Sequence, residues 1–175
     1  MDSNLKTGTS ILIMKPKMTR SYYELTHGEE LIGSITFTKA FGTLAQVKIV
    51  DEEWSLKRMG FWKPYITVRR KDETRDYYQI PFSGKWQGLL TLTTHTGDLY
   101  ELSQTGFWNP KWAWMKQKTV LMEFDLKFGM KKYAELIIRE QDPLMNMLLI
   151  VGAYGMIMQG WDDGASSAAI TAAIG

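Results

Sequence analysis

Between Lys57 and Lys71 the chain gathers six cations, Lys57, Arg58, Lys63, Arg69, Arg70 and Lys71, with no acid among them and with Phe61, Trp62 and Tyr65 interleaved. Ammonium and guanidinium groups pair with phosphate oxygens, and indole and phenyl rings favour the level between head groups and acyl chains. This residue set therefore suits anionic phospholipid head groups, with Lys57, Arg58, Lys63, Arg69, Lys71 and Trp62 as the candidate ligand-binding residues. Strand alternation places Arg69 and Lys71 on one face with Tyr65 and Thr67, and Arg70 on the other with Ile66 and Val68, so only part of the cluster points outward together. The competing reading is an ordinary solvated hairpin, because Asp72, Glu73 and Asp76 follow at once. A looser basic group, Lys127, Lys131 and Lys132, flanks Phe128-Gly129.

Other chemistry finds little support. The two histidines, His27 and His95, lie beside turn residues, and a histidine-based metal site needs more ligands. The carboxylates at Glu29-Glu30, Asp51-Glu52-Glu53 and Asp162-Asp163 lack the spacing of an oxygen-ligand cation loop and read as solvated turns. No phosphate-binding glycine loop, nucleophile elbow or dinucleotide fingerprint is present, so the expectation is a non-enzymatic protein with no catalytic residue, no metal and no cofactor.

A formal charge of +2 is too mild to argue for nucleic acid. The absence of cysteine excludes disulfides and thiolate sites. The apolar run Ile11 to Met14 is too short for a signal peptide, which sets the expectation of a cytoplasmic protein, peripheral at the inner membrane surface if lipid is its ligand.

The elements that must position these residues are strands. From about residue 10 to 140, short alternating or apolar segments are separated by turn residues such as His27-Gly28, Lys71-Asp72-Glu73, Thr96-Gly97-Asp98 and Phe128-Gly129. Short links make neighbouring strands antiparallel, and about twelve of them avoid exposed edges by closing into a barrel. A barrel that wide needs an occupant. Residues 142–159 supply one: Asp142 can cap a helix, Pro143 suits its first turn, and Leu144 to Met158 is apolar nearly all round. Its fifteen residues span about 22 Å, short of the ~30 Å of a hydrocarbon core, so a buried helix fits better than a membrane span. The fold class is thus all-β with one central helix, a single domain over 1–175 whose tail from 161 to 175 is too bland to assign.

Gly-Phe-Trp-x-Pro occurs twice, at Gly60 and 46 residues later at Gly106. Each copy joins one strand to the next, which reads as a barrel corner whose aromatics plug one end, with a binding role as the alternative. The segments YYELTHGEELIGSITF, GFWKPYITVRRKDE and GFWNPKWAWM, and above all PLMNMLLIVGAYGMIM, resemble the tubby C-terminal-like superfamily, nearer its LURP-one-related and phospholipid-scramblase-like branch. The likeness runs from Ser10 to about Gly160. It implies a closed barrel of twelve strands around a central hydrophobic helix. It also implies a link to lipid, since tubby proteins bind phosphoinositides and scramblase-like members are associated with membranes. Scramblase-type cysteine-rich and calcium-binding segments are missing, so those activities do not carry over. The functional expectation is a β-barrel module that binds anionic phospholipid head groups at a membrane surface. The alternative is a soluble protein-interaction barrel without lipid affinity, using exposed Trp108, Trp112 and Trp114; for these tryptophans core packing is the competing reading.

Overall fold

A computed structural model describes residues 5–16, 21–39, 42–83, 89–105, 111–127 and 132–174. Twelve strands run in chain order: β1 (Ser10–Met14), β2 (Tyr22–His27), β3 (Glu30–Phe37), β4 (Leu44–Ile49), β5 (Glu52–Met59), β6 (Tyr65–Arg70), β7 (Tyr78–Ser83), β8 (Leu89–Thr93), β9 (Leu99–Thr105), β10 (Lys111–Lys116), β11 (Thr119–Leu126) and β12 (Lys132–Ile138). Each pairs antiparallel with its chain neighbour, and β1 closes on β12, with Ser10 opposite Ile137 and Leu12 opposite Glu135. The closed antiparallel barrel with one helix is the architecture expected from the turn spacing.

Alternation within each strand decides which side chains face in. In β4, Ala45, Val47 and Ile49 are buried while Gln46 and Lys48 face water. In β11, Met122 and Phe124 point inward. Trp112 and Trp114 do share a face, and it is the inner one: both are buried, and Trp114 is fully enclosed. They form no exposed aromatic patch. The reason is register, since Trp114 pairs with Leu102 on one side and Met122 on the other, both inward residues. Trp108 lies outside the described residues. The wall is apolar within and polar without, the reverse of a barrel whose outer face meets lipid.

The first part of helix α1 (Met145–Ile174), from Met145 to Met158, fills the interior. The helix starts three residues after Asp142 and runs past 159, where the apolar pattern stops, to Ile174. Leu148, Leu149, Ile150, Val151, Tyr154 and Ile157 are fully buried, and such a side chain is worth about 1.5–3 kcal/mol when removed from water. A helix can occupy this space because it satisfies its own backbone, whereas an extended segment would strand polar groups inside an apolar cylinder. The indole N–H of Trp114 donates to the carbonyl of Leu148 at 2.8 Å, using that oxygen's second lone pair.

The contact between helix and wall is closest at Gly152. A Cβ there would stand 2.5 Å from Cζ of Phe124 and 2.7 Å from Nε1 of Trp114, closer than real contacts allow. At Gly155 a Cβ would meet chiefly the flexible end of Leu90, at 2.8 Å. Gly152→Val should therefore destabilise by overpacking, by roughly 1–3 kcal/mol or more, and Gly155→Ala by less. With about 2–4 °C per kcal/mol for a chain of this size, thermal unfolding followed by circular dichroism should show the larger loss at position 152; equal melting temperatures for the two variants would refute the tight contact.

Candidate functional site

Antiparallel closure gives the barrel two dissimilar ends. The connections β2–β3, β4–β5, β6–β7, β8–β9 and β10–β11, with the segment 139–144 leading into α1, lie at the end where the helix begins, here the start rim. The connections β1–β2, β3–β4, β5–β6, β7–β8, β9–β10 and β11–β12 lie at the end where the helix leaves, the exit rim. Every second turn of the chain returns to the same rim. The first Gly-Phe-Trp copy is the β5–β6 link of the exit rim, and the second falls at 106–110, outside the described residues; the flanking Thr105 and Lys111 pair with each other.

The described copy is built on Gly60. Its φ of 78° is a left-handed conformation, and a Cβ would stand 2.6 Å from the carbonyl oxygen of Lys63, so only glycine closes this turn without strain. The turn holds Phe61 and Trp62 out in solvent, each 89% exposed and meeting edge to face with ring centres 5.4 Å apart. These rings do not plug the barrel end; the helix already fills the space a plug would take. Exposed Lys63 follows, and a cleft of about 620 Å³ opens beside it, lined by Trp62, Lys63, Pro64, Tyr65, Gln79, Pro81 and Phe82. The Arg58 guanidinium stacks over the Phe82 ring at 5.5 Å.

The six residues expected to bind a head group fall at two places. Lys57 and Arg58 end β5 beside the exit rim, and Trp62 and Lys63 belong to the rim itself. Arg69 and Lys71 sit at the far end of β6, six residues of about 3.3 Å away, and there they are neutralised. Arg69 pairs with Asp76, which also accepts from Gln79 at 3.0 Å, and these bonds hold the Asp76 carboxyl below its ordinary value. Lys71 meets Glu53 at 2.5 Å; their mutual hydrogen bond lowers the carboxyl and raises the ammonium. Arg70 lies across the rings of Trp54 and Tyr77, at 5.2 and 5.5 Å. The run that reads as one cluster in sequence is divided by the length of a strand. In the second basic group, Lys127 is held by Asp125 at 2.6 Å and Glu135 at 3.2 Å, Lys132 is exposed, and Lys131 lies outside the described residues.

Two polar anchors escaped the sequence reading. At the start rim the Tyr100 hydroxyl donates to Asp142, 3.1 Å from either oxygen, while Lys116 Nζ donates to the Tyr100 hydroxyl at 3.0 Å and lies 3.3 Å from Asp98. Asp142 also accepts the backbone N–H of Leu144 at 2.9 Å, so the helix start is tied to the wall. Toward the exit rim the Tyr154 hydroxyl donates to the carbonyl of Thr43 and accepts the Arg58 N–H at 2.9 Å, and Tyr133 donates to the Met156 carbonyl at 2.9 Å. Asp142 was legible as a cap; its partners, 26 or more residues upstream, carry no local signal.

His95 stacks on Tyr78 at 5.6 Å, and among the described residues no group of three or more His, Asp or Glu side chains is placed to hold a metal. Among the same residues no helix is long and apolar enough to cross a membrane. No family model matches the chain, and neither characterised proteins nor solved structures give a match.

Burial drives the Tyr154 phenol well above its ordinary value near 10. A raised value means that the neutral phenol contributes stability in full below pH 10, and that this contribution is lost as pH rises from there through the folded-state value. Tyr154→Phe leaves the Arg58 N–H and the Thr43 carbonyl without this partner, at a cost of about 1–3 kcal/mol. The variant should melt several degrees lower at pH 7, and its deficit relative to the parent should narrow above pH 10. A deficit constant from pH 7 to 11 would contradict the buried neutral phenol.

Proposed function

We propose that this barrel is a non-enzymatic module that binds anionic phospholipid surfaces through its exit rim. The observation that carries the reading is the outward-held pair Phe61 and Trp62, each 89% exposed, followed directly by exposed Lys63 and preceded by Lys57 on the same hairpin. Leaving two large rings in water costs free energy that burial at a lipid interface returns, and a lysine one residue on supplies attraction to phosphate. Arg69 and Lys71, already paired with acids, are left out of the proposed surface. The resemblance to tubby-like and scramblase-like barrels agrees with this reading but contributes no residue to it. The module would meet the membrane peripherally, from the cytoplasmic side where anionic lipids concentrate.

The test is sedimentation with phosphatidylcholine vesicles, with and without phosphatidylserine, in low and high salt. Binding should require the anionic lipid and fade as salt shortens the screening length. Lys63→Ala should weaken it by about 1 kcal/mol, close to fivefold, and the double variant Phe61→Ala/Trp62→Ala by more, while Lys71→Ala should leave it unchanged. No binding to anionic vesicles at low salt would sink the lipid reading. Phe61 and Trp62 would then serve as ring anchors for a protein partner, the use most often made of exposed tryptophan.

A further inference from the structure

The lipid reading uses the exposed tip of the β5–β6 hairpin and leaves the cleft beside it without a use. That cleft lies where β6 and β7 approach the exit rim. Among the described residues its lining holds three rings, Trp62, Tyr65 and Phe82, two prolines, Pro64 and Pro81, and no acid. Alternation sets its floor: Ile66 and Ile80 are fully buried, so Tyr65 and Pro81, which pair across the two strands, face outward together. The Phe82 N–H donates to the Pro64 carbonyl at 3.1 Å, which makes Tyr65 and Pro81 a non-hydrogen-bonded pair, the kind whose side chains stand closer.

Pro81 is out of place as part of the wall. In a strand with neighbours on both sides a proline removes a ladder donor, and sheets otherwise confine it to edges, strand starts and bulges. Because Phe82 turns its N–H to the β6 side, position 81 turns to β8, and there the ladder is short. Among the described residues β7 and β8 pair at two positions, Phe82 with Leu90 and Ser83 with Leu89, against four between β6 and β7. The ring that weakens the wall lines the cleft.

The polar side chains of the lining can all donate. Lys63 carries an ammonium, Trp62 an indole N–H and Tyr65 a hydroxyl, while the Gln79 amide gives one N–H to Asp76 at 3.0 Å and keeps a second. Rings, prolines and donors are the complement of a chain that offers apolar rings and unpaired carbonyls. A polyproline II segment is such a chain: it has no internal hydrogen bonds, its prolines lack N–H groups, and its shape is set before it binds. One turn of three residues is about 9 Å long, enough to run from Gln79 over Pro81, about 7 Å along β7, to the hairpin.

We infer that this cleft binds a proline-rich segment of a partner protein in the polyproline II conformation, with an acidic residue beside the prolines to meet Lys63. The inference goes beyond the lipid reading and does not depend on it, since Tyr65, Gln79, Pro81 and Phe82 have no part in that surface.

The test is fluorescence anisotropy of the full chain with a fluorescein-labelled oligoproline peptide carrying a glutamate at each end, against a control with glycine in place of proline. The oligoproline should bind saturably and the control should not. Trp62→Ala should weaken binding about tenfold or more, and Tyr65→Phe about fivefold. Pro81→Ala should weaken it severalfold while the melting temperature stays close to the parent's, whereas a proline with a merely structural role would move stability and leave affinity alone. Lys63→Ala should lose affinity for the glutamate-ended peptide and keep it for one ended in glutamine. Tyr65→Phe and Pro81→Ala should bind phosphatidylserine vesicles as the parent does. No saturable binding of the oligoproline, equal binding of the glycine control, or full affinity in both Tyr65→Phe and Pro81→Ala would overturn the inference. Loss of vesicle binding in those two variants would assign the cleft to lipid and overturn it as well.

Discussion

The interior of a twelve-strand barrel is too wide for its own side chains to close, and this structure depends on the apolar helix that fills it. Inward residues of the strands, among them Leu56, Ile66, Leu92, Phe124 and Leu136, have a core to join only because α1 supplies its other half. Helix and wall are fitted to one another at particular points: Gly152 under Phe124 and Trp114, the Trp114 indole on a helix carbonyl, Tyr154 between β5 and the β3–β4 connection. Polar anchors tie the helix at both ends of the cylinder, through Asp142 to Tyr100 at one and through Tyr133 to Met156 at the other. These bonds lie where the apolar core ends, so they locate the helix along the axis without interrupting the packing between them.

A filled barrel with a polar outer wall offers its ends as the places where sequence can vary into function. The strand connections there are free of the inward and outward alternation that constrains the wall. Antiparallel closure then sorts them, since every second connection returns to the same end. In this chain the β5–β6 connection holds Phe61, Trp62 and Lys63 out in solvent at the end where the helix leaves, while Asp72, Glu73, Asp76 and Asp142 lie at the end where it begins.

Much of this was written in local pattern. The number of strands, their antiparallel closure and the need for a central helix follow from turn spacing, alternation and one run of residues apolar on every face, because each of these is a short-range consequence of backbone geometry. Gly60 and Asp142 could likewise be read as a turn glycine and a helix cap from their neighbours alone. What lay beyond local pattern was decided by contacts between distant segments. Lys57, Lys63, Arg69 and Lys71 form one basic run in sequence, yet strand length carries Arg69 and Lys71 to the opposite end, where Asp76 and Glu53 neutralise them. Trp112 and Trp114 share a face by alternation, but only pairing with β9 and β11 shows that this face is the core. Phe61 and Trp62 follow the same glycine that a plug would use, and their exposure is settled by the helix having already filled the barrel. Local sequence thus specifies which elements form, since a strand or a helix is stabilised by residues a few positions apart. Which residues meet water, an ion partner or the core depends on closure of the barrel around α1, a constraint shared by the whole chain.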